Sequence, residues 1–412
     1  MTYSGTRAAA LSYGVLEQLA NTVVRIDGKP RRLLDEVDVI SSVSGGSFTA
    51  AYYALYGDRI FSDFESRFLK KDIQGELAWR LFWPVNWFRL ASPTFDRIDM
   101  AAKYYDENIF DYHTFGDLVK NGRRPFIVIN ATDMSLGARF EFTQDQFDWL
   151  YSDLSSYRIA RAVASSSAFP VLLSPITLQN YQSGTDYQEP GWVENALEDR
   201  VSSPPRYRKA MDVRSYRDAG NRRYIHLIDG GISDNIGLRG PLRSLESTDV
   251  RWSVLKMLNL EKVDKVVIIT VDAKPETDVS WDRCETAPGA LAVLSTVASA
   301  PMDNYSFDTV QLLKQDINRF RQDAKARNSC EAILKKHCPE ATLPGGPMHE
   351  VEFYSINVSF DGITDEGERR FFKHIPTSFS IHAETVDRMR SIGKKLLTES
   401  GEYQKLLHDL TQ

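Results

Sequence analysis

Two short stretches of this 412-residue chain set a reactive oxygen beside glycines: Ser42-Val43-Ser44-Gly45-Gly46 and Asp229-Gly230-Gly231. Ser44 follows a β-branched apolar run at 37–43 and precedes a small-residue run at 48–56. Strand, tight turn and helix in that order make a nucleophile elbow, which strains the serine and crowds the neighbouring backbones. Only small side chains then fit two residues to either side. Ser42 and Gly46 meet that demand, with Ser42 standing where such motifs usually carry their first glycine. The following helix would aim its free N–H groups, Gly45 first, at a developing oxyanion. Alone, the motif is equally well read as a plain glycine-rich loop. A phosphate cradle would want more glycines and a Lys-Ser/Thr pair.

A serine nucleophile needs a base. The histidines are His113, His226, His337, His349, His374, His382 and His408, and none follows a strand in an apolar-then-turn setting. His226 comes nearest, but it shares a strand with Asp229, three residues on, and side chains at that spacing point to opposite faces. A Ser-His-Asp arrangement therefore stays an alternative, and Asp229 is the expected base. It ends the apolar strand 224–228, and Gly230 and Gly231 let the backbone turn so that the carboxylate stays near the sheet edge. Catalytic groups of open α/β sheets gather at the carboxyl ends of strands, which puts Ser44 and Asp229 at one edge. The competing interpretation is a turn aspartate capping Ile232. With a reference pKa of about 3.9, a carboxylate is a weak base for a hydroxyl, so desolvation and oxyanion stabilisation must assist it.

The elements that hold these groups follow from periodicity. A helix is expected over 6–19, with buried strands at 37–43, 124–130, 224–228 and 265–271 and helices at 156–164 and 305–327. Strands separated by helices predict an α/β fold with a mostly parallel central sheet and helices on both faces. Residues 179–221, rich in Pro, Gly, Tyr and charge, read as a long surface excursion; 341–347 reads as a turn, 350–359 as a strand and 361–412 as polar helix.

Further matches accompany the two motifs, in order: Ser4-Gly5-Thr6-Arg7 before the first helix, Asn130-Ala131-Thr132-Asp133 followed by Phe140-Glu141-Phe142, and the small-residue stretch 160–170. Together they resemble the patatin-like phospholipases, lipid acyl hydrolases with a Ser-Asp dyad. The resemblance implies a three-layer α/β/α fold and catalysis by Ser44 and Asp229. It also implies an oxyanion hole from the amides of Gly5, Thr6 and Gly45, with Arg7 as supporting charge. It requires no metal and no cofactor, and its substrate is a phospholipid or another lipid ester. Tyr3 and Ser4 stand where the family has glycines, and the family's first strand is missing ahead of Ser4, which suggests a truncated start. Two rival readings follow: a soluble esterase or thioesterase, and a catalytically impaired lipid-binding or scaffold member. The expected organisation is a catalytic domain over 1–275, with insertions at about 57–122 and 179–222. A helical extension over 276–412 packs on the same domain.

Composition narrows the partners. A net charge of −6 and a pI near 5.8 provide no field to draw in nucleic acid. No apolar run reaches the length of a membrane span, and no signal peptide follows Met1, which suggests a cytoplasmic or peripheral membrane location unless an export signal has been lost. Peripheral contact is expected from Trp79, Trp83 and Trp87 in the stretch 77–90, where Pro84 interrupts the helix, with Arg80 and Arg89 alongside. Packing of those rings on the main domain is the rival expectation. Arg158 and Arg161 are candidates for a head-group phosphate, or simply paired. Cys284, Cys330 and Cys338 are too few for a disulfide scaffold, and they lack the spacing of a metal site.

Overall fold

A computed structural model describes residues 5–82, 92, 95–169, 173–181, 188–238, 263–276, 280–283, 285–341, 343 and 351–411. Tyr3, Ser4, Trp83, Pro84, Trp87, Arg89, Cys284, His349 and most of 341–347 lie outside the described residues.

The expected first helix forms as α1 (Thr6–Asn21). Its Ala8-Ala9-Ala10 stretch and Leu11, Val15 and Leu19 leave it buried on nearly every side. Two helices cover it. One is α2 (Gly45–Tyr56); the other is the helix Ala383–Glu399 from the last third of the chain. Glycines permit the second crossing. A β-carbon on Gly14 would collide with the Arg390 carbonyl, and one on Gly393 would come within 2.7 Å of the Leu11 carbonyl.

Nine strands form among the described residues: β1 (Val23–Ile26), β2 (Lys29–Arg32), β3 (Val39–Val43), β4 (Phe126–Asp133), β5 (Ala138–Glu141), β6 (Ile176–Gln179), β7 (Tyr224–Asp229), β8 (Lys265–Asp272) and β9 (Glu352–Ser359). The central sheet runs β3-β4-β7-β6 with β5 also on β4, and helices flank it in the three-layer α/β/α arrangement. It is mixed, not mostly parallel. β3 lies parallel to β4, but β5 and β7 pair with β4 antiparallel, and β6 pairs with β7 antiparallel. A short turn at Gly137 (φ 60°) folds β5 back on β4, and β7 enters from the opposite end. β8 and β9 form a separate parallel pair, and β1 and β2 a hairpin.

The registers explain how the two motifs meet. β3 ends with Val43 opposite Asn130; β7, running the other way, ends with Asp229 opposite Ala131. The two carboxyl ends thus converge tip to tip along β4, where a common edge of a parallel sheet was expected.

The described part of the stretch 179–221 holds more regular structure than its composition suggests. It holds helices Gly191–Glu198 and Pro204–Arg217, which bury Val193, Ala196, Ala210, Val213 and Tyr216. The described residues of the stretch 57–122 likewise join the main core. Its two π-helical turns, Glu65–Leu69 and Asp106–Phe110, bring Phe68 and Phe110 against Phe48 of α2.

Candidate active site

Ser44 stands between β3 and α2 at φ 54°, ψ −127°, a left-handed conformation that an L-residue adopts only under constraint. The constraint is visible. Its amide donates to Ser166 Oγ (2.8 Å), and Ser166 Oγ also bonds Ser47 Oγ (2.9 Å). The side chain of Ser44 then points at β7: Oγ donates to Asp229 Oδ2 at 2.9 Å. The other carboxylate oxygen, Oδ1, accepts the Gly231 amide at 2.8 Å.

The base is held as firmly as the serine. The Asp229 amide donates to the Ala168 carbonyl (3.0 Å) and the Gly230 amide to the Ser166 carbonyl (3.1 Å). Thr132 Oγ1 donates to the Asp229 carbonyl (2.8 Å). A β-carbon on Gly230 would collide with the Asn130 carbonyl, so the turn after Asp229 presses directly on β4. Asn130 Nδ2 in turn donates to the Ser42 carbonyl (2.9 Å) and Ser41 Oγ (3.0 Å), tying β3 to the same point.

Both groups are withdrawn from water, Ser44 wholly and Asp229 to 1% exposure. Burial pushes the Asp229 carboxyl up to about 7; the Gly231 N–H and the Ser44 hydroxyl oppose the rise only in part. A direct proton path from Ser44 Oγ to a carboxylate of near-neutral pKa is the chemistry this geometry offers. No histidine hydrogen-bonds either group among the described residues. His226 is exposed on the face opposite Asp229 and meets Thr177 (3.0 Å), as strand alternation requires.

A family model for patatin-like phospholipases matches residues 4–242, more than half the chain. The chain belongs to the patatin-like phospholipases. It is accordingly a lipid acyl hydrolase in class, acting on lipid esters. No curated protein matches it.

In this patatin-like chain the glycine requirement falls one residue earlier than expected. A β-carbon on Gly46 would meet only Ser12 Oγ at 3.9 Å, whereas one on Gly45 would collide with the Gly5 carbonyl. Ser42 is buried and accommodated, its Oγ donating to the Val128 carbonyl (3.3 Å). Gly5, at φ 116°, stacks between Gly45 and Ser378, whose carbonyl a β-carbon on Gly5 would also strike. The Thr6 amide donates to that Ser378 carbonyl (3.0 Å), and Arg7, fully buried, donates through Nη1 to the Ile375 carbonyl (2.6 Å). Gly45, at the first helical position, has an amide without an intrahelical acceptor.

Sequence reasoning missed Ser166, Asn130 and Thr132 as positioning groups, although each lies in a stretch that carried the family resemblance. Ser378 carried no signal, because its backbone carbonyl makes the contact. Trp79 is 67% exposed on the helix Ile73–Phe82; Arg80 pairs with Glu107 (3.0 Å) and covers the Tyr104 ring. Arg161 pairs with Asp99, and Arg158 lies over the Tyr112 ring. Cys330 and Cys338 are free and exposed. No described helix is long and apolar enough to cross a membrane.

Proposed function

We propose that the chain cleaves carboxylic esters of phospholipids or lysophospholipids through a Ser-Asp dyad and an acyl-enzyme. Ser44 Oγ attacks the acyl carbonyl while Asp229 Oδ2 takes its proton. The oxyanion that forms is met by the Gly45 amide at the positive end of α2, with the Gly5 loop beside it. Collapse expels the lysophospholipid, or the glycerophosphodiester where a lysophospholipid is the substrate, and its alkoxide oxygen takes back the proton. Water, deprotonated by the same carboxylate, then releases the fatty acid.

The observation that carries this reading is the 2.9 Å contact between Ser44 and a buried carboxyl whose pKa is pushed up to about 7. Such a base is stronger than an ordinary aspartate and still ionised in part at neutral pH. A fluorophosphonate probe tests it: labelling of the wild type but not of Ser44→Ala is expected. Release of fatty acid from phosphatidylcholine micelles should then fall with the same substitution.

One observation favours a second reading, a lipid-binding protein without turnover. Ser44 is wholly buried and the Thr6 amide is already occupied by the Ser378 carbonyl. A folded full-length chain that resists the probe under all lipid conditions would favour that reading.

A further inference from the structure

The last third of the chain reaches the nucleophile turn through one irregular segment. Between helices Glu366–Lys373 and Ala383–Glu399, residues 374–382 form neither helix nor strand. Ile375 is buried, and its carbonyl holds Arg7. Pro376 follows, exposed, and fixes the backbone at that root. Beyond it every residue through His382 is exposed or half-buried. Hydrogen bonds tie this outer part to other elements: Thr6 amide to Ser378 carbonyl (3.0 Å), Ser378 Oγ to Gln74 (2.8 Å), and the Ser380 side chain to Asp72.

The same segment reaches the aromatic cluster beside Ser44. Phe48 lies one helical turn past the serine on α2, which places this cluster beside the nucleophile turn. Phe68, Tyr105 and Phe110 crowd that ring from fully buried helical positions. Phe379 completes the enclosure, 5.8 Å from Phe48 and 6.5 Å from Tyr105, but from a half-buried and irregular segment. It is the removable member. In this closed arrangement the buried Tyr105 hydroxyl finds no hydrogen-bond partner among the described residues, a cost that folded interiors generally avoid.

The geometry points to residues 375–381 as a strap over the lipid site, rooted at Ile375 and Pro376. Phe379 stands where the acyl chain enters, and the Ser378 carbonyl blocks the Thr6 amide. Lifting the strap opens the aromatic cluster and frees that amide in one movement. Acyl length then controls activity, because each added methylene gains apolar contact only in the open form. Phe379 is thus a specificity-determining residue. This inference rests on the ester-hydrolase reading of Ser44.

Full-length wild type, Phe379→Ala and Phe379→Leu would be compared on 4-nitrophenyl butyrate and on 4-nitrophenyl palmitate in micelles, with fluorophosphonate labelling in parallel. Wild type should prefer the palmitate. Phe379→Ala should raise kcat/KM for the butyrate roughly ten-fold and change the palmitate by about two-fold or less, with Phe379→Leu in between. Labelling should also be faster in Phe379→Ala than in wild type. Equal chain-length ratios and equal labelling in all three would overturn the strap while leaving the hydrolase reading intact. If no form labels, the hydrolase reading fails and the strap with it. Should Phe379→Ala lose its melting transition, Phe379→Leu alone decides, since an unchanged ratio there contradicts the strap.

Discussion

The tip-to-tip meeting of β3 and β7 contrasts with the stacking of the Gly5 loop on residues 375–381. At the strand tips the reactive oxygens are side-chain atoms, each announced by its own local motif and fixed by bonds from β4 and the helix Ile159–Ser166. At the loop, three backbones stack as Gly45, Gly5 and Ser378, and the partners are carbonyls and amides from opposite ends of the chain. Side chains write themselves into a sequence; backbone carbonyls do not. The strand tips are therefore the legible and rigid half of the site, and the loop the illegible half, held by fewer bonds.

The sharpest way to break that contrast is to damage the loop from the elbow side. Gly45→Ala places a methyl group into the Gly5 carbonyl and should displace the loop. A loss of about 10²- to 10³-fold in kcat, the size of one lost oxyanion donor, is expected with the far-ultraviolet circular dichroism unchanged. Activity near wild type would mean that Gly5 takes no part.

A smaller effect is expected from the support behind the serine. Ser166→Ala removes the acceptor of the Ser44 amide, so the turn relaxes but the dyad remains. A fall of roughly five- to ten-fold in kcat/KM, about the worth of one hydrogen bond, should appear in steady-state kinetics.

The smallest effect is expected at Gly46. Its β-carbon would have open space, and alanine favours the first turn of α2. Activity should stay within about two-fold, and the melting temperature should hold or rise slightly. A collapse of activity would restore the original expectation that Gly46 is the crowded glycine.

The differences between sequence and structure have separate physical causes. The positions of β3, β4, β7, β8 and β9 and of helices α1 and α2 were legible because each carries a short apolar or small-residue run. Val39–Val43 and Phe126–Asp133 illustrate this, although Val39 and Phe126 themselves stay exposed. Strand direction was not legible, because antiparallel pairing of β7 with β4 depends on partners far apart in the chain. In 179–221 the apolar spacing of Ala210, Val213 and Tyr216 is helical, but the surrounding Pro, Tyr and charge obscured it. At the elbow, a motif learned from glycine spacing placed the tight contact at Gly46, whereas the loop it faces decides the matter at Gly45.

Asp229 carries the remaining test. Its carboxyl is raised from 3.8 to about 7, so it holds its proton more tightly folded than unfolded. Below about pH 7 the protonated form cannot accept the Ser44 proton, and kcat/KM should fall tenfold for each further pH unit. For the same reason the wild type loses stability as pH rises from about 4 to 7, a loss that Asp229→Asn escapes. The variant's melting temperature should therefore gain on the wild type across that window, which also reports that it is folded.

The most direct measurement is the pH dependence of kcat/KM for wild type and Asp229→Asn on one lipid ester. An acid limb near pH 7 in the wild type and a flat residual at least about 10³-fold lower in the variant are predicted. A folded Asp229→Asn that turns over near the wild-type rate, or keeps that limb, would contradict direct proton transfer from Ser44 to Asp229.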